Sequence, residues 1–134
     1  MEDCIFCKII SGEIPSYKIY EDDFVFAFLD INPTSLGHTL VVPKKHNKDV
    51  FDIEEEYLKR TILISKKIAK KMKEVLDCDG VNVYNNSGAS AGQIIFHFHI
   101  HVIPRKNGDM VDFKPIKVSE DDLRLICDKL KIEE

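Results

Sequence analysis

The chain has 134 residues, 44% hydrophobic and 31% charged, with a formal net charge of −4. That length is one ordinary domain, read as a single unit over 1–134 and able to bury a core without disulfides. No apolar run approaches the roughly 20 residues needed to span a bilayer. The acidic balance argues against broad nucleic-acid binding, and Met1-Glu2-Asp3-Cys4 lacks the basic and apolar regions of a secretory signal. The expectation is a cytoplasmic protein with no membrane and no direct nucleic-acid contact.

Residues 3–11 place Ile5, Phe6, Ile9 and Ile10 at helical spacing, with Asp3 as a candidate N-cap and Gly12 as a stop. Lys18–Glu21 and Phe24–Leu29 read as strands joined at Asp22-Asp23, a hairpin. A Pro- and Gly-containing loop follows, then a third strand, His38–Pro43. Residues 54–77 carry one apolar stripe (Tyr57, Leu58, Thr61, Ile64, Ile68, Met72 among it), with most of the lysines on the other face, which reads as solvated. Gly80–Asn85 is a fourth strand. Ser119 caps a last helix with Leu123, Ile126 and Leu130 in phase. Hairpins and partly segregated helices predict an α+β fold with an antiparallel sheet.

The densest chemistry is in Phe96-His97-Phe98-His99-Ile100-His101-Val102, which holds three of the five histidines. Strict alternation predicts a strand with Phe96, Phe98, Ile100 and Val102 on one face. The three imidazoles would share the other face, about 6.6 Å apart at a rise of about 3.3 Å per residue. Such a face is a solvated surface, a three-histidine metal site, or a place where a neutral imidazole attacks phosphorus while its neighbours hold the anion. Directly before it, Asn86-Ser87-Gly88-Ala89-Ser90-Ala91-Gly92-Gln93 lacks bulky side chains. Its N–H groups can approach an anion closely. Asp30, at the end of an apolar strand, reads equally as a ligand for vicinal ribose hydroxyls or as an Asx turn before Asn32-Pro33. Cys4-x-x-Cys7 reads as half of a zinc site or as packed helix cysteines; spacing alone does not choose its histidine partners.

Together these segments resemble the histidine-triad (HIT) nucleotide-binding family. His97-Phe98-His99-Ile100-His101-Val102-Ile103 fits the His-x-His-x-His-x-x pattern. Cys4–Pro15, Phe28–Pro33, Gly37–His46 and Ala91-Gly92-Gln93 look like family segments in family order, so the likeness covers about residues 3–108. The resemblance implies a five-stranded antiparallel sheet with a long helix and a short N-terminal helix, joined across a homodimer. It implies cleavage at the α-phosphate of a purine nucleotide derivative, adenosine or guanosine, through a nucleotidyl-histidine on His99. A non-catalytic nucleotide-binding regulator on the same fold is the alternative.

By the same likeness, His101 and His38 correspond to rings that hold phosphate and position the site. Asn86, Gly92 and Gln93 match phosphate or leaving-group contacts, Asp30 the ribose ligand, and Phe6, Ile9, Phe28 and Ile31 the base pocket. The Cys-x-x-Cys opening resembles a zinc-containing branch, whose ligands would be Cys4, Cys7, His46 and His97 around a structural Zn(2+). One departure is Ile94, where the phosphoramidase branch typically carries serine. Isoleucine cannot donate a hydrogen bond, which keeps dinucleoside-polyphosphate hydrolysis open beside phosphoramidate hydrolysis.

Overall fold

The computed structural model describes residues 3–133. In chain order the elements are α1 (Ile5–Ser11), β1 (Lys18–Glu21), β2 (Val25–Leu29), β3 (Thr39–Pro43), α2 (Glu55–Val75), β4 (Gly80–Tyr84), β5 (Ile100–Arg105) and α3 (Glu120–Leu130), with a 3₁₀ turn at Ala89–Ala91. The five strands form one sheet in the order β1-β2-β3-β5-β4, every pair antiparallel. This is the expected α+β architecture. No described helix is long and apolar enough to cross a membrane.

Strand alternation sorts side chains onto the two faces. Val25, Ala27 and Leu29 of β2, Val41 of β3, and Ile100 and Val102 of β5 join the core beneath α2 and α3. Phe26 and Phe28, with Leu40 and Val42, form a second cluster on the opposite face beneath Phe6 and Ile9 of α1. The helix α2 presents Thr61, Ile64, Ser65, Ile68 and Met72 to the first core and leaves its lysines mostly exposed. Ile68 and Met72 are fully buried, so truncating either to alanine costs about 2–5 kcal/mol. Ser119 and Asp122 form a reciprocal capping box at the start of α3. Gly12 ends α1 at φ 86°, a conformation that a side chain disfavours.

Two expectations need correction. The N-cap of α1 is Cys4 rather than Asp3, because the Cys4 Sγ accepts the Cys7 N–H at 3.3 Å. The histidine stretch is not one continuous strand: β5 begins only at Ile100. Upstream, the backbone is tied to the 43–48 segment instead of the sheet. The Phe98 N–H donates to the Asn47 carbonyl at 2.6 Å, and the Gln93 Nε2 donates to the carbonyls of Lys48 and Ile95. The local turn leaves Phe96 exposed, outside the core assigned to it by alternation, while Phe98 and Ile100 stay inside.

Candidate active site and metal centre

His101 lies on β5, paired across the sheet with Leu40 of β3 and Tyr84 of β4. Alternation puts its ring on the α1 face, opposite Ile100 and Val102. His38 stands just before β3. Its Nδ1 accepts the Thr34 N–H at 3.2 Å, so the proton of the neutral ring is on Nε2. That Nε2 lies 2.9 Å from the His101 Nδ1. The His38 N–H therefore donates to His101, and neutral His101 carries its own proton on Nε2. Burial, then the Arg105 charge and His99, lower the His38 pKa to about 4. Burial, then His99 and His38, lower that of His101 to about 3. Both rings are neutral near pH 7.

The same reasoning fixes the tautomer of His99. Its Nδ1 is 2.7 Å from the His97 carbonyl, which can only accept. Nδ1 therefore bears the proton, and Nε2 is left with its lone pair. Burial lowers the His99 pKa, so that lone pair is not lost to protonation near neutrality. The His99 and His101 rings are 4.9 Å apart, closer than an ideal strand gives. Phe6 of α1 packs edge-on to His99 at 5.1 Å, and the Asn85 Nδ2 donates to the His99 carbonyl at 2.9 Å.

His97 leaves this front. Its Nε2–H donates to the Pro43 carbonyl at 2.8 Å, so its Nδ1 is the free donor. That atom lies 3.4 Å from the Cys4 Sγ and 3.6 Å from the Cys7 Sγ. The His46 Nδ1 is 3.5 Å from the Cys7 Sγ. One ligand atom from each of Cys4, Cys7, His46 and His97 lies within 4.8 Å of the others. This is the Cys₂His₂ donor set of a closed structural zinc site, and the Pro43 contact supplies the outer hydrogen bond that orients a ligating imidazole. Among the described residues no such group forms from His97, His99 and His101, which removes the three-histidine metal site.

The remaining predicted residues are placed as follows. The Asp30 Oδ1 accepts the Asn32 N–H at 2.8 Å, an Asx turn, while Oδ2 sits 3.8 Å from the His38 Nε2. Burial raises the Asp30 pKa. Phe6, Ile9 and Phe28 are buried together beneath α1, with Phe6 and Phe28 edge-on at 5.5 Å; Ile31 is 62% exposed. Gly92 has φ +95°, and a Cβ there would meet the Asn86 Nδ2 at 3.3 Å, so Asn86 and Gly92 are neighbours. The Asn86 side chain makes no hydrogen bond to another described residue. Gln93 differs: it is buried, with Oε1 accepting the Gly88 N–H at 2.8 Å and Nε2 donating to two carbonyls. Its amide holds the loop together instead of facing outward. Ile94 is 83% exposed and borders an open cavity of about 450 Å³ that Cys4 and His46 also line. Thr34, Pro43, Asn47 and Asn85 act through backbone groups or a side-chain amide, and no residue pattern in the sequence marks them.

A profile described as "HIT domain" matches residues 11–108. Over 116 residues the chain is 50% identical to an uncharacterized HIT-like protein of Borreliella burgdorferi, covering 85% of this chain and 84% of that one. It is 46% identical over 104 residues to the adenosine 5′-monophosphoramidase HNT1 of Saccharomyces cerevisiae, covering 78% of this chain and 63% of that protein. A zinc-bound histidine triad family protein from Mycobacterium smegmatis superposes with a TM-score of 0.87 at 40% identity, covering 96% and 94% of the two chains. Its bound zinc and the donor cluster here agree on a structural zinc site at Cys4, Cys7, His46 and His97. Fold, triad and zinc donors converge, and the chain belongs to the HIT family, in its zinc-containing Cys-x-x-Cys branch.

Proposed function

We propose that the protein is a nucleotide hydrolase or transferase that cleaves at the α-phosphate of a purine nucleotide derivative through His99. The observation that carries this reading is the His99 tautomer. Its Nδ1–H is committed to the His97 carbonyl at 2.7 Å, and the Nε2 lone pair is the ring's only free nucleophilic atom. That atom attacks the α-phosphorus; the new N–P bond forms as the bond to the leaving group breaks. Water then attacks the nucleotidyl-histidine, releasing the nucleoside monophosphate and restoring neutral His99. The His101 Nε2–H, oriented by His38 behind it, donates to phosphate oxygen where negative charge develops. Asn86 offers a side-chain amide to phosphate. The Gly92 N–H is held by the Ala89 carbonyl at 3.0 Å, so Gly92 serves by keeping the backbone beside Asn86 clear of a side chain, and Gln93 supports both by holding the loop.

The second oxygen of Asp30 suits a ribose hydroxyl, and Phe6, Ile9, Phe28 and Ile31 suit an apolar base. Zinc, when bound, ties α1 to the histidine segment and performs no chemical step. Phosphoramidates and dinucleoside polyphosphates both fit this scheme. The 46% identity to a protein named as a phosphoramidase favours the former, and isoleucine at position 94 leaves room for the latter. The same reading takes residues 1–134 as one domain acting in the cytoplasm as a homodimer, with β4 the sheet edge available for pairing.

The test is intact-protein mass spectrometry after brief mixing with an adenosine phosphoramidate or a diadenosine polyphosphate, beside His99→Ala. A transient adduct of one AMP on the wild type and none on the variant is the expected result. Full turnover by His99→Ala overturns the reading. Tight AMP binding with no adduct and no released AMP replaces it with the non-catalytic binder.

A further inference from the structure

Tyr84 and Phe113 are among the aromatic residues that stand outside both apolar cores. Tyr84, the last residue of β4, and Phe113, in the segment between β5 and α3, belong to neither buried cluster nor its packed fringe. Phe113 is 54% exposed. Burial of a core does not explain them. Their described ring contacts instead point at the active site. The Tyr84 ring lies flat on His101, centroids 4.5 Å apart and planes 10° from parallel. Phe113 meets Tyr84 edge-on at 5.1 Å, with the Arg105 guanidinium carbon 5.7 Å from the Phe113 centroid.

Arg105 also has an unusual set of partners. Among the described residues it pairs with no carboxylate. It donates to the Asn82 Oδ1 at 2.9 Å and the Asp112 carbonyl at 2.8 Å. A third, longer hydrogen bond of 3.5 Å reaches the Thr34 Oγ1. Thr34 is the residue whose N–H fixes His38. Arg105 and His101 lie on the same face of β5, so the arginine closes two routes back to one hydrogen-bonded pair. One runs through Thr34 to His38, the other through Phe113 and Tyr84 to His101. Flat stacking restricts rotation of the imidazole out of its plane, while the His38 contact fixes it in plane. Together they fix the direction of the His101 Nε2–H.

We propose that Tyr84, Phe113 and Arg105 form a brace that positions His101, making the 112–113 stretch part of the catalytic apparatus. Tyr84 and Phe113 are positioning residues in this scheme; neither touches the reacting atoms. The brace is built from ring faces, so phenylalanine can replace Tyr84 and leucine cannot. The proposal rests on the α-phosphate reading for its effect on rate, but not for its effect on the His101 ring.

The experiment combines NMR of the histidine ring protons with steady-state kinetics on an adenosine phosphoramidate, using wild type, Tyr84→Phe, Tyr84→Leu and Phe113→Leu. Stacked aromatic rings shield the protons beneath them. In wild type and Tyr84→Phe the His101 ring protons should be shifted upfield; in Tyr84→Leu that shift should vanish, and in Phe113→Leu it should shrink. With the donor misaimed, kcat should fall about 10-fold in Tyr84→Leu, given that ångström-scale misplacement costs up to about 100-fold, while KM changes less and Tyr84→Phe retains wild-type kcat. Unchanged His101 shifts in Tyr84→Leu overturn the brace, as does Tyr84→Phe behaving like Tyr84→Leu. Phe113 is largely exposed, so Phe113→Leu decides the matter if Tyr84→Leu does not fold: unaltered His101 shifts in it count against the brace. Shifts that move as expected in a protein without turnover uphold the brace and overturn only the hydrolase reading.

Discussion

Cys4 holds two positions at once, and substitution can separate them. Its Sγ caps α1 by accepting the Cys7 N–H at 3.3 Å, and it is one of four donors in the zinc cluster. Cys4→Ala removes both functions. Cys4→Ser keeps a cap acceptor, serine being a preferred N-cap, but removes the thiolate. Loss of a cap costs about 1 kcal/mol, and α1 has only seven residues over which to absorb it. Zinc at a thousandfold excess over its Kd stabilises the native state by about 4 kcal/mol. With excess chelator, Cys4→Ser should match the wild type within a few tenths of a kcal/mol, and Cys4→Ala should lie about 1 kcal/mol lower. With zinc, the wild type should rise several kcal/mol above both variants. Urea unfolding with and without chelator measures these differences, and elemental analysis of the purified proteins gives the metal content. Stoichiometric zinc in Cys4→Ser, with the full zinc-dependent gain, would refute the ligand assignment. Equal stability of the Ser and Ala variants under chelator would refute the cap.

Two further outcomes follow from burial around His38. Gly37 has φ +107°, and a Cβ there would lie 3.1 Å from the Pro104 Cγ and 3.3 Å from the Leu76 Cδ1. Gly37→Ala should therefore combine backbone strain of about 1–3 kcal/mol with overpacking of about 1–3 kcal/mol. A urea midpoint equal to that of the wild type would contradict this. For pH, the folded-state values of His38 and His101, about 4 and about 3, lie below the ordinary histidine value of 6.5. Between those values the unfolded chain binds protons that the folded chain refuses. Their contribution is full above pH 6.5 and is lost as pH falls through about 4 for His38 and about 3 for His101. Asp30, with its pKa raised by burial, works in the opposite direction, whereas His97, lowered by burial to about 4, adds to the two rings with the same sign. Under chelator, which removes proton competition for zinc, stability should fall between pH 7.5 and pH 5, and His38→Gln should flatten the fall. A flat wild-type profile would refute the assignment of buried neutral rings.

Much of the fold could be read before any coordinates. The apolar run Phe24–Leu29 read as a strand, and Val25–Leu29 is one, with its two faces buried by different cores. Ser119 and Gly12 marked a helix start and a helix end because caps are local hydrogen-bond and φ preferences. The zinc donors were named through family likeness, since spacing alone could not bring Cys4 to His97, 93 positions away.

The histidine segment shows where local pattern fails. Alternation treats His97, His99 and His101 as equivalent, yet tertiary partners give them separate roles. The Pro43 carbonyl and the two thiols take His97, and the His97 carbonyl orients His99. His38 and Tyr84 hold His101. The sequence by itself determined most element types, the helix start at Ser119, the helix end at Gly12 and the inventory of reactive side chains, because these depend on residues within a few positions of one another. Only the tertiary structure decided which nitrogen of the His38, His97, His99 and His101 rings carries the proton, that the Gln93 amide turns inward, and that Tyr84 stacks on His101 with Phe113 edge-on to Tyr84. Those outcomes depend on carbonyls and ring faces brought in by distant segments, which no local pattern encodes.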